Sequence, residues 1–164
     1  MKCLQGNPEA AYTVGTMLIR LMVGAVFFTE GLQKFIYPSI RGAGRFEKIG
    51  FPAADFLGYT VGAFETVCGL LILLGLLTRL ATVPTLAIMV VAIITTKIPV
   101  LLGQGFGPFG VRESPFYGFW AMAHEMRTDW SMLLGSIFLI LAGGGPFSID
   151  AIISRRRNAA SKGV

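Results

Sequence analysis

The sequence predicts an all-α integral membrane protein, a four-helix bundle, and three observations carry that expectation. Of its 164 residues 54% are hydrophobic and only 14% charged, and mean hydropathy is +0.68. A soluble domain of this length needs more charge to keep its surface wet. The apolar residues also fall in long runs, and roughly 20 residues at 1.5 Å each cross about 30 Å of hydrocarbon. Finally, the ionisable residues inside those runs sit beside small residues, which let helices approach closely in lipid. At this length a single domain, residues 1–164, is expected.

Span 1 is read from about Thr13 to Ile36, stopped at Tyr37-Pro38. The preceding MKCLQGNPEAAYT holds one Lys, and the run behind it is longer than a signal-peptide core and lacks a small-residue cleavage site. It is therefore expected to be retained. The loop YPSIRGAGRFEKIGFP has room for a turn of interfacial helix. Span 2 follows from about Ala54 to Leu77 and span 3 from about Leu80 to Leu102. Only Thr78-Arg79 lies between them, which predicts a tight antiparallel hairpin. Pro84 is expected in the first turn or so of span 3, where a missing N–H costs least. Pro99 is expected to kink or end it. The next loop, GQGFGPFGVRESPFYGFWAMAHE, is rich in Gly, Pro and the aromatics of a membrane–water belt. Span 4 is read over 129–145, with Thr128 and Asp129 as helix-start residues. It is short, and an extension back toward Ala121 would lengthen it. In the tail, 147–164, Ser148 is expected to cap a short amphipathic helix lying on the membrane surface.

Four spans put both termini on one side. Arg79 and the Arg155–Arg157 cluster share that side and mark it as cytoplasmic. Arg41, Arg45, Lys48, Arg112 and Arg127 fall on the other side and offset part of that signal. The net charge of +5 comes from scattered bases without an aromatic-interleaved patch, so no nucleic-acid partner is expected. Cys3 and Cys68 are far apart and lack a CxxC partner, which argues against a disulfide framework or zinc site. Cys68 reads as a small buried hydrophobe.

Ionisable groups within a span are costly unless they face protein or water. Arg20, Glu30, Glu65 and Lys97 qualify, with Lys34 at the boundary. Arg20, Gly24, Phe27, Gly31 and Lys34 fall on one helical stripe flanked by Glu30. Gly58, Gly62, Glu65 and Gly69 share a face of span 2, and Ser131, Gly135 and Ala142 one of span 4. The charges are expected to point into the bundle. Glu30, Gln33, Lys34, Thr95, Thr96 and Lys97 should gather in the outer half. There Glu30 and Lys34 are expected as an i,i+4 pair with Lys97 as a third member. Arg20 and Glu65 are candidate partners deeper in. One reading makes these groups interhelical ion pairs that fix the packing. The other makes them a polar pocket for a quinone head group, a thiol substrate or a proton path, with Phe27 and Phe64 nearby. His124, Glu125 and Asp129 raise a metal question. A lone His with two carboxylates does not make a His-rich haem or di-metal site, so no metal is expected and a capping or docking contact is.

Together these motifs resemble the DoxX family of small bacterial and archaeal four-span membrane proteins. The resemblance runs through RLMVGAVFFTEGLQKF, with Gly31, Lys34 and Phe35 as the Gly-x-x-Lys-Phe ending, and then through FEKIGFP. It continues in FETVCGLLILLGLLTRLAT, carried by Glu65, Gly69, Gly75, Thr78 and Arg79. It closes on Gly143 to Pro146, Ser148 and Asp150, a Gly-rich Ser-x-Asp ending. Glu30 departs from it, since a histidine or small polar residue is expected there. The resemblance implies a bacterial or archaeal inner-membrane protein linked to oxidoreductase systems. Some members resemble subunits of thiosulfate:quinone oxidoreductase, others partners in thiol-stress complexes. A related fold occurs in quinone-linked disulfide-forming proteins, but their cysteine pairs are missing here, which argues against self-contained thiol–disulfide catalysis. The first expectation is an accessory or anchoring subunit of a quinone-linked oxidoreductase, with the bilayer and an oxidoreductase subunit as partners. The alternatives are a small oxidoreductase that itself binds quinone or another lipophile, and a structural bundle packed on a larger assembly.

Overall fold

In a computed structural model of the protein, residues 7–162 are described, and Cys3 lies outside them. The described residues are helical throughout, apart from loops and one isolated bridge between Phe106 and Phe109. Helix α1 spans Pro8–Ile36 and starts before Thr13, because the Asn7 side chain caps it by accepting from the Glu9 amide at 3.0 Å. The short helix α2, Ala43–Ile49, occupies the first loop, and α3 spans Ala54–Leu74.

The hairpin turn is Gly75–Leu77, just ahead of the Thr78-Arg79 pair expected from the sequence. Gly75 adopts φ +69°, its amide donates to Ile72 O, and the Leu76 amide donates to Leu71 O. That is a left-handed helix ending of the kind glycine favours. Thr78 and Arg79 then form the first turn of α4, Thr78–Ala92. Pro84 consequently lies inside α4, beyond the first-turn position expected for it. A π-helical turn, Ile93–Lys97, leads into α5, Ile98–Leu102, so the helix continues past Pro99. Proline removes one N–H and crowds the carbonyl four residues back, and a widened turn accommodates both without ending the helix.

Helix α6 spans Phe119–Ala142, so Thr128 and Asp129 lie within it and do not start it. Its start is set by Gly118 at φ +109°, whose carbonyl accepts from the Met122 amide at 3.0 Å. Helix α7, Ile149–Lys162, is capped by Ser148, whose Oγ accepts from the Ala151 amide at 3.1 Å. At 14 residues it is longer than the short helix expected there.

Among the described residues, three helices are long and apolar enough to cross a membrane: α1, α3, and the continuous run Thr78–Leu102. Helix α6 packs against α1 and α4, and its first half carries Glu125, Arg127 and Asp129. The α1–α3 contact is the most extensive between helices, and glycines bring the two backbones close. A Cβ on Gly31 would lie 2.5 Å from the Thr66 amide, and one on Gly24 2.8 Å from that of Leu73. Only bare backbone permits such an approach. Val23, Phe27, Cys68, Ile72, Ala81, Met132 and Leu139 fill the core behind it. Leu18, Phe56, Val67, Leu80 and Leu141 are exposed on the outside, as lipid-facing side chains are.

Candidate functional site

A cavity of about 580 Å³ opens at the end of the bundle where α1 finishes and α6 begins. Its polar wall collects Glu30, Lys34, Glu65, Lys97, Glu125 and Asp129. Its apolar wall includes Val26, Phe27, Val61, Met89, Ala92 and Met132.

Lys34 crosses from α1 to form a hydrogen-bonded ion pair with Glu65 of α3, the two side chains being 10% and 7% exposed. The stem of Lys34 can lie along α3 because Gly62 has no side chain; a Cβ there would sit 3.1 Å from Lys34 Cβ. The Lys34 ammonium also reaches the Glu30 main-chain oxygen at 3.5 Å. The expected Glu30–Lys34 side-chain pair is therefore not formed. Helix proximity offers Lys34 a better-enclosed carboxylate than its own helix does.

Lys97 is not a third member of that pair either. It emerges from the π turn toward α6, 3.1 Å from Asp129 and 3.8 Å from Glu125, which lie one turn apart on α6. The sequence separates Glu125 and Asp129 from the span charges, and the structure brings them to the same cavity. His124 points away from them, its ring 2.8 Å from Arg127 at the surface. The expected His–carboxylate contact is absent. Among the described residues, no three His, Cys, Asp or Glu side chains gather as a metal site.

Arg20 lies at the opposite end of the bundle and does not meet Glu65. Its Nη1 donates to Gly144 O at 2.8 Å and its Nη2 to Phe147 O at 3.0 Å. Nearby, the Asp150 carboxylate accepts from the amides of Leu77 at 2.8 Å and Thr78 at 3.0 Å. These contacts tie the Gly143–Pro146 segment and α7 onto the α3–α4 turn. Arg20 thus holds the Gly144–Phe147 segment and takes no part in the cavity wall. Phe64 is 51% exposed and faces outward, while Phe27 is buried and lines the cavity.

Sequence reasoning missed Arg41, Arg45, Thr128 and the apolar liners other than Phe27 as cavity residues. The two arginines read as loop charges, because their position depends on how α2 folds back over the bundle end. With them, the cavity wall holds four carboxylates (Glu30, Glu65, Glu125, Asp129) and four cations (Lys34, Arg41, Arg45, Lys97). A formally neutral wall of donors and acceptors above an apolar floor suits an uncharged polar head with a lipophilic body. A second, outer cavity of about 850 Å³ adjoins it, lined by Arg41, Arg45, Lys48, Arg112 and Glu113 among others.

The DoxX family model matches residues 15–98. The uncharacterized membrane protein Rv3486 of Mycobacterium tuberculosis is 55% identical over 141 residues, covering 86% of this chain and 82% of that protein. CatD of Bacillus subtilis, whose name gives it as a candidate oxidoreductase, is 31% identical over 144 residues, covering 87% and 90%. No solved structure matches the chain significantly.

Proposed function

Because this chain belongs to the DoxX family and is a membrane protein, we propose that it binds a quinone between α1, α3, α4 and α6 as the quinone-binding subunit of a membrane oxidoreductase. The name of the Bacillus subtilis relative supports the oxidoreductase setting. The observation that carries the quinone reading is the cavity of about 580 Å³ with its neutral charged wall and apolar floor. Ligand pockets commonly fall in the range of about 300–1,000 Å³, apolar with a few convergent polar groups.

The donor set fits the group. A quinone presents carbonyl oxygens that accept hydrogen bonds and a lipophilic body that needs dry surface; bound, it supplies electron and proton uptake. Lys34 Nζ and Lys97 Nζ are the cavity's ammonium donors, each held in place by carboxylates from another helix. Val26, Phe27, Val61, Met89 and Met132 exclude water beside them. Electrons come from a partner subunit in this account, which keeps the chain's own part to binding and orientation.

In this reading α6 is the fourth crossing of the bundle, in a bacterial cell membrane. Arg79 and Arg155–Arg157 mark their end as cytoplasmic in this account, against Arg41, Arg45, Lys48, Arg112 and Arg127 at the other end. The cavity then opens toward the outer face.

The test is quinone binding by the purified protein, titrated with a naphthoquinone carrying a short isoprenoid tail. Ala92 lines the cavity, and Ala92→Phe fills part of it without touching a charge. The expected result is saturable binding by the native protein, weakened at least about tenfold by Ala92→Phe, at unchanged protein abundance. Absent or unsaturable binding favours the structural-bundle reading, in which both ion pairs only fix the packing.

A further inference from the structure

The outer cavity differs in charge from the inner one. Of its lining residues five are cations (Arg41, Arg45, Lys48, Lys97, Arg112) and two are carboxylates (Glu113, Glu125). Lys97 and Glu125 already face each other. That leaves Arg41, Arg45, Lys48 and Arg112 against Glu113 alone. None of these four cations makes an ion pair among the described residues. By contrast, Arg20 and Arg79 both donate to main-chain carbonyls at 2.8–3.0 Å.

The gathering of these charges is built, since they come from two segments far apart in the sequence. Arg45 and Lys48 lie on α2, with Arg41 just before it, and Arg112 lies in the loop before α6. A hydrogen bond from the Gly110 amide to Ile49 O, at 2.9 Å, clasps the loop to α2. The rings of Phe46, Phe51 and Phe109 stack beside it at 5.2 and 4.9 Å. The Phe106–Phe109 bridge turns the loop back so that it reaches there. Holding like charges around one concavity is unfavourable unless an anion offsets them, and a cleft of one sign concentrates anions. Guanidinium groups match the oxygens of phosphate, sulfate and carboxylate through paired hydrogen bonds.

We propose that this vestibule is an oxyanion-binding site formed by Arg41, Arg45, Lys48 and Arg112, of which Arg41 and Arg45 also border the inner chamber and Lys48 and Arg112 line the vestibule alone. The oxyanion is either a free ion reaching the vestibule from water or the head group of a lipid lying beside it. The site goes beyond the quinone reading and stands without it.

The test uses the full-length protein in a neutral detergent, with radiolabelled inorganic phosphate in equilibrium dialysis. The variant is Lys48→Gln/Arg112→Gln, because these two residues line the vestibule and not the inner chamber. Saturable phosphate binding, weakened at least about tenfold in the variant, supports the free-ion source. A second arm places the protein in nanodiscs of phosphatidylcholine with and without phosphatidylglycerol and counts retained lipid by mass spectrometry. Selective retention of phosphatidylglycerol that the variant loses supports the head-group source. Neither form of binding, or binding that the variant leaves unchanged, overturns the proposal. If the double variant fails to fold, Glu113→Gln replaces it, and tighter binding is expected as the vestibule's unpaired carboxylate is removed. Unchanged binding in Glu113→Gln overturns the proposal in that case. Naphthoquinone binding, measured in parallel, separates the two sites. Its loss with phosphate binding intact refutes the chamber alone, and the reverse refutes the vestibule alone.

Discussion

Replacing Glu65 by Gln removes the charge that Lys34 was folded against. Both side chains are nearly buried, at 10% and 7% exposure, and they join α1 to α3. After the change the ammonium keeps a neutral amide oxygen and the Glu30 main-chain oxygen, 3.5 Å away, but no opposite charge paired to it. Breaking a buried pair by removing one partner costs about 3–5 kcal/mol, because the remaining charge is left uncompensated. The Glu30 carboxylate on the preceding turn of α1 offsets some of that, so the lower end, about 3 kcal/mol, is expected. That is about a hundredfold in the folded-to-unfolded ratio. The double variant Lys34→Met/Glu65→Leu removes both charges and keeps an apolar stem against Gly62. It should return to within about 1 kcal/mol of the native protein. The assay is denaturant unfolding in mixed micelles, run as a double-mutant cycle. A Glu65→Gln loss below about 0.5 kcal/mol would refute the reasoning, as would a double variant as unstable as the sum of its singles.

Gly31→Val places a side chain where Thr66 backbone stands, at 2.5 Å, and should cost about 3 kcal/mol or prevent α1–α3 docking altogether, read by the same unfolding assay. Asp150→Ala uncaps the Leu77 and Thr78 amides and should lower stability by about 1–2 kcal/mol. Quinone binding in that variant should stay native, because Asp150 lies at the far end of the bundle from the cavity. Lys97→Met should weaken quinone binding about tenfold, with Lys97→Arg recovering part of it in the same titration.

The apolar runs were legible because a bilayer imposes length and composition on any helix that crosses it. The close α1–α3 face was legible for the same reason, through the spacing of Gly24, Gly31, Gly62 and Gly69. The pairing of charges was much less so. Lys34 and Glu30 are ideal helical neighbours, yet Lys34 turns to Glu65, because glycine on both helices brings another carboxylate closer. Lys97 finds Asp129 and Glu125 only because α6 begins at Phe119. That start rests on the positive φ of Gly118, a single backbone angle inside a loop full of glycines. The π turn before Pro99 has a sequence cause but no sequence signature. The vestibule depends on a contact between α2 and a loop roughly sixty residues later in the chain, which no local pattern announces.

The central claim is that the inner cavity holds a quinone, and its most direct test is extraction of the native protein from its own membranes in mild detergent. The quinone carried by the purified protein would then be measured by mass spectrometry beside that of Ala92→Phe. The account predicts stoichiometric quinone in the native protein and little in the variant. Equal trace amounts in both, in well-folded protein at native abundance, would contradict it.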